Sequence, residues 1–92
     1  MAVALNDRVS RLEGFLKASV GDNLVLLDMD QGVYVGLDAI GARIWDRIET
    51  PAVVSDICEE LARDYAAEAD VIQADVLKFL NQLFDQKMIA AA

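Results

Sequence analysis

Sixteen carboxylates, a single thiol and no imidazole set the chemistry open to this 92-residue chain. Without histidine it lacks the usual general base and the usual nitrogen ligand for a metal. Cys58 alone makes neither a thiol–imidazole dyad nor a zinc cluster. The five glycines fall in no phosphate-cradling pattern: neither GxxxxGK[ST] nor GxGxxG is present. The acids follow the spacing of solvated helix faces, as in Asp56, Glu59, Glu60, Arg63 and Asp64. No cofactor, metal or catalytic residue is implied, and the expectation is a binding module rather than an enzyme.

Charge narrows the partners. With 8 basic residues against 16 acidic ones the formal charge is −8. Such a chain repels nucleic-acid phosphates and anionic membranes and attracts basic proteins or peptides. The acids also keep a small apolar domain in solution. No apolar run approaches the roughly 18 residues that span a bilayer. The start, MAVALNDRVSR, has no secretion signature. A lone cysteine suits a reducing compartment, so the expected location is the cytoplasm.

The elements that must present any binding surface are legible from pattern. Residues 1–12 are polar and short on periodicity and read as a flexible N-terminal arm; residues 13–89 read as one domain. From EGFLKASV, starting at Glu13, the chain reads as a strand, broken at Gly21-Asp22-Asn23, where Gly and Asn tolerate positive φ. LVLLDM follows, with Leu24 and Leu26 on one face and Val25 and Leu27 on the other, as in a central strand covered on both sides. After Asp30-Gln31-Gly32, the run Val33-Tyr34-Val35-Gly36 closes an antiparallel meander as an edge strand. An edge leaves backbone donors and acceptors unpaired, to be covered or used.

The remainder is helical. Asp38 caps a helix to about Glu49 with Ile40, Ile44, Trp45 and Ile48 on its apolar stripe. Thr50-Pro51 ends it, proline suits the first turn of the next helix, and Thr50 is a candidate cap there. That second helix carries Val54, Ile57, Cys58, Leu61 and Tyr65. The last and longest, about Glu68 to Gln86, has Ile72, Val76, Phe79, Leu80 and Leu83 as its core stripe. Apolar residues spill past that stripe, to meet another helix or to border a groove. The expected fold is α+β and winged-helix-like: a three-stranded antiparallel sheet followed by three helices. DNA binding is disfavoured, because the last helix offers Lys78 and Lys87 against Glu68, Asp70, Asp75 and Asp85.

Taken together, LLDMDQGVYVGLDAIGARIWDRIE, then Pro51, VSDICEELARDY and ADVIQADVLKFLNQLFDQKMI resemble the PqqD-like family of peptide-recognition proteins. The resemblance covers about Gly21 to Ile89. It rests on the order of Asp30, Gly32, Tyr34, Leu37, Gly41, Trp45, Leu61, Tyr65 and Ala74-Asp75-Val76 with Phe79, Leu80 and Leu83. The chain departs from the usual pattern at Asp38, at Val53, and at Met88-Ile89 with the alanine tail.

The resemblance implies a non-catalytic RiPP recognition element. Such a protein binds the leader of a ribosomally made precursor peptide and presents it to a separate modifying enzyme. That enzyme is a radical SAM enzyme in pyrroloquinoline quinone synthesis, or a leader peptidase and cyclase in lasso-peptide synthesis. The leader adds as a strand beside Val33, Tyr34, Val35 and Gly36 and lies against the first half of the last helix. Two flanks of that helix compete for the cleft: Val71, Asp75 and Lys78, with Ala74 beside them, or Asp70, Gln73 and Leu77. The first set is the one expected, since a mid-helix Asp has poor propensity unless it finds a partner. Two other uses of the chain remain. One is an acidic carrier protein bearing a pantetheine arm at Ser55; the other is a homodimeric module pairing through the same edge.

Overall fold

The computed structural model describes residues 3–92. In chain order the elements are β1 (Arg8–Arg11), β2 (Phe15–Val20), β3 (Asn23–Asp28), β4 (Val33–Leu37), α1 (Ala39–Arg47), β5 (Ala52–Val53), α2 (Val54–Tyr65), α3 (Ala69–Asp85) and β6 (Ile89–Ala91). The fold is α+β: the meander β2-β3-β4 is antiparallel throughout, and three helices follow it. Two residues, Gly21 and Asp22, join Val20 to its partner Asn23, with Gly21 at φ 64°. That is the left-handed backbone a two-residue hairpin loop demands.

β3 is central, but only one of its faces is covered. Leu24 and Leu26 are buried against the helices, whereas Val25 and Leu27 are half-buried beneath an open outer face. The apolar pattern promised cover on both sides, yet no element crosses that face among the described residues. Ile44, Trp45 and Ile48 of the α1 region, Ile57, Cys58 and Leu61 of α2, and Ile72, Val76, Leu80 and Leu83 of α3 complete the core. Among the described residues no helix is long and apolar enough to cross a membrane.

The N-terminal segment corrects the expectation of a flexible arm over residues 1–12. Arg8–Arg11 is the middle strand of a second sheet, β5-β1-β6, with Val9 paired to Ala52 and to Ala91 and fully buried. Val3 is buried too, and its backbone exchanges hydrogen bonds with the Asn81 amide of α3: its N–H donates at 3.0 Å and its C=O accepts at 3.3 Å. One buried valine in a polar strand gives no periodic signal, and the partners lie some forty and eighty residues on. Residues 1 and 2, also assigned to the arm, lie outside the described residues. The alanine tail likewise pairs, as β6, so the domain runs past residue 89.

The same segment replaces the side-chain cap expected from Thr50. Pro51 leads into β5 rather than a helical turn, and Val53 at the helix start makes no side-chain cap. Instead the N–H groups of Val54 and Ser55 donate to the carbonyls of Asp7 and Leu5 at 2.9 and 3.0 Å. Helix N-termini carry unpaired donors that something must satisfy. Here a remote backbone does so.

Candidate functional site

β4 is an edge strand in the described structure. It pairs with β3 alone, from Asp28↔Val33 to Leu24↔Leu37, and no strand lies beyond it. Its sequence, Val33-Tyr34-Val35-Gly36-Leu37, contains no charged residue. Strand alternation follows the register: Val33, Val35 and Leu37 share the face of buried Leu24 and Leu26, while Tyr34 and Gly36 point to the outer face.

Both ends of this strand are pinned by aspartates. At the entry, the Asp28 carboxylate accepts from the N–H groups of Asp30 and Gln31 at 3.0 and 3.2 Å. Gly32, at φ 68°, donates its N–H to the Asp28 carbonyl at 2.7 Å. At the exit, the Asp38 carboxylate accepts from the Gly41 N–H at 2.8 Å and caps α1, as its position suggested. Asp28, which the sequence reading passed over in favour of Asp30, is the residue that shapes the turn.

Two cavities lie beside α3, and one of them borders this edge. One of about 290 Å³ lies between the start of β4 and the end of α3, lined by Asp28, Gln31, Val33, Val35, Asp85, Gln86, Lys87 and Met88. The other, about 230 Å³, lies where α1 and α3 diverge, lined by Asp38, Ile40, Gly41, Ile44, Leu61, Ile72, Asp75, Val76 and Phe79. β4 lines the first cavity with Val33 and Val35, and Asp38, the residue after the strand, lines the second. Gly41 is what lets α3 come close: a Cβ there would stand 3.3 Å from the Phe79 ring.

Of the residues expected at the site, Val33 and Val35 line the first cavity and Asp75 lines the second. Tyr34, 71% exposed, and Gly36 face away from both. Val71, 52% exposed, and the exposed Ala74 and Lys78 lie further round α3 towards solvent and line neither cavity. The Asp75 flank of α3 borders a cavity, whereas half-buried Leu77 on the opposite flank packs against the core. Pattern reading missed Ile40 and Phe79 as lining residues, because both sit on stripes assigned wholly to the core. Ile40 is in fact 41% exposed at the cavity's lip.

The site offers apolar surface and carboxylates, with no nucleophile. Asp75, Asp85 and Lys87 form no ion pair among the described residues. Cys58 is buried in the core, and that burial pushes its thiol up, away from the reactive thiolate. The resolved carboxylate shift lies elsewhere: Arg43 holds Asp64 below the usual carboxylate range, joining α1 to α2. No cluster of three metal-ligating groups occurs among the described residues.

The chain is similar in structure to TbiB1, solved in complex with the TbiA(beta) leader peptide, with a TM-score of 0.77 and 28% identity. The match covers 87% of this chain and 93% of that one. Curated protein sequences give no significant match. The family profile of coenzyme PQQ synthesis protein D matches residues 23–89, which include β3, β4 and all three helices. This chain belongs to the PqqD family.

Proposed function

We propose that the protein is a non-catalytic recognition element that binds the leader of a ribosomally made precursor peptide. The leader adds as a strand to the free edge of β4, and its inward side chains enter the two cavities against α3. Main-chain hydrogen bonds supply the sequence-tolerant part of the affinity, and the cavities supply selectivity. Held in this way, the leader keeps the rest of the precursor at high effective concentration near a separate modifying enzyme in the cytoplasm. That enzyme is a radical SAM enzyme or a leader peptidase and cyclase.

The observation that carries this reading is the unpaired, uncharged β4 edge beside a cavity that Val33 and Val35 share with the end of α3. Family membership and the leader-bound neighbour support it. The test is calorimetry and NMR with the leader of the precursor encoded beside this gene. Saturable binding should shift the amides of Val33 to Gly36 and of α3, and Tyr34→Pro, which removes an N–H that faces the free edge, should weaken it at least tenfold. Shifts confined to other elements would refute the reading.

A further inference from the structure

We infer that the outer face of the meander at Tyr34 and Gly36 forms a second reading surface, one that selects an aromatic residue in the bound peptide. The inference rests on strand addition at β4 and extends it to the other face of the sheet.

A strand laid beside β4 cannot send all its side chains into the cavities. Alternation places every second one on the outer face, next to Tyr34 or Gly36. That face is apolar and uncovered. In register behind Tyr34 lies Leu27, and behind Gly36 lies Val25. With Leu16 and Ala18 of β2 they floor a hollow of about 270 Å³. Tyr34 stands at the rim of this hollow, and no atom lies within 4 Å of where a Gly36 Cβ would point.

Gly36 is the informative residue. Glycine weakens a strand, and its φ lies outside the left-handed region that would require it. Bare backbone on an edge strand leaves room for a large ring from the neighbouring strand to lie across it. The ring would rest on Val25 and abut the Tyr34 ring, in the offset or edge contact that aromatic pairs prefer. A small or charged residue would leave the hollow open.

Size argues for this occupant over a second copy of the chain. Three strands at sheet spacing present roughly 250–300 Å², against about 800 Å² per partner in a stable complex. A peptide already held by ladder hydrogen bonds needs only one such contact.

The test uses random linear peptides displayed on phage and long enough to span the strand. They are selected on the wild-type protein, on Gly36→Val and on Tyr34→Thr. Both substitutions favour strands, and the space above Gly36 is empty, so the sheet should persist; circular dichroism verifies this. Wild-type binders should carry an aromatic residue at one register, its two neighbours facing the cavities. Replacing it with alanine should weaken wild-type binding about fivefold, and binding to either variant less than about twofold. If peptides bind and Tyr34→Pro, which removes an outward N–H, abolishes binding, yet the register is indifferent or the preference survives both side-chain variants, the inference fails and strand addition stands. A library yielding no binder, or binders insensitive to Tyr34→Pro, removes strand addition and the inference with it.

Discussion

The meander has two free edges, and they are finished differently. β2 carries Lys17, which lines a cleft of about 450 Å³ and whose ammonium reaches Asp46 at 3.2 Å. Around that cleft Arg11 lies over the Trp45 ring at 5.6 Å and pairs with Glu49 at 3.7 Å. The other edge, β4, has no charge in its five residues and opens onto a cavity where Val33, Val35 and Met88 meet Asp28, Asp85 and Lys87. Lysine on an edge is a common guard against unwanted pairing. Within one small sheet, then, one border carries a lysine and its counterpart carries no charge.

Proline separates the two edges most sharply. Tyr34→Pro should weaken leader binding by about 10- to 100-fold, because in this register the Tyr34 N–H, unlike that of Val35, points to the free edge where the ladder would form. Ser19→Pro, at the matching outward position of β2, should leave that affinity within about threefold, both read by calorimetry on variants shown to be folded. If the two changes hurt equally, the contrast between the edges is broken.

Removing the guard is the next largest effect. Lys17→Val leaves β2 without a charge and removes the closer of the two cations beside Asp46. Sedimentation should then show stronger concentration-dependent self-association than the wild type gives. A variant that stays monomeric would mean that Lys17 guards nothing.

A smaller change tests how firmly β4 is held. Asp38→Ala removes the cap that ends the strand and starts α1, and should cost about 1 kcal/mol. In a domain of this size that lowers the melting temperature by about 4–8 °C. No change in melting would mean that the cap does not anchor the strand's exit.

The smallest effect lies away from both edges and serves as a control. Arg43 lowers the Asp64 pKa in the folded protein, so the pair's contribution is present above the ordinary carboxylate value. It fades as pH falls through the lowered folded value. The stability difference between wild type and Asp64→Asn should therefore shrink in acid, with leader binding at neutral pH unchanged. A difference that persisted below that range would show the ion pair is not its source.

What the sequence made legible follows from how local each signal is. The meander, its edge and the three helices rest on neighbouring residues: Gly21 and Gly32 at turns, Asp38 at a cap, stripes of three- and four-residue spacing. β1 escaped because its one buried residue, Val9, is held by partners remote in the chain. The cap of α2 escaped for the same reason, being made of the Asp7 and Leu5 carbonyls. At the site, periodicity separated apolar from polar but not core from cavity wall. Ile40 and Phe79 therefore read as interior although they line a cavity, while Val71 and Lys78, expected at the peptide site, are exposed on α3 outside both cavities. Gly41 was the available clue: a helical glycine is costly unless something packs closely on it, and here that is Phe79.

Hydrogen–deuterium exchange at residue resolution, with and without the cognate leader, bears most directly on strand addition at β4. New protection should appear at the outward-facing backbone amides of Tyr34 and Gly36, with exchange along Phe15 to Val20 unchanged. Protection on β2, or on the helices with none on β4, would contradict it.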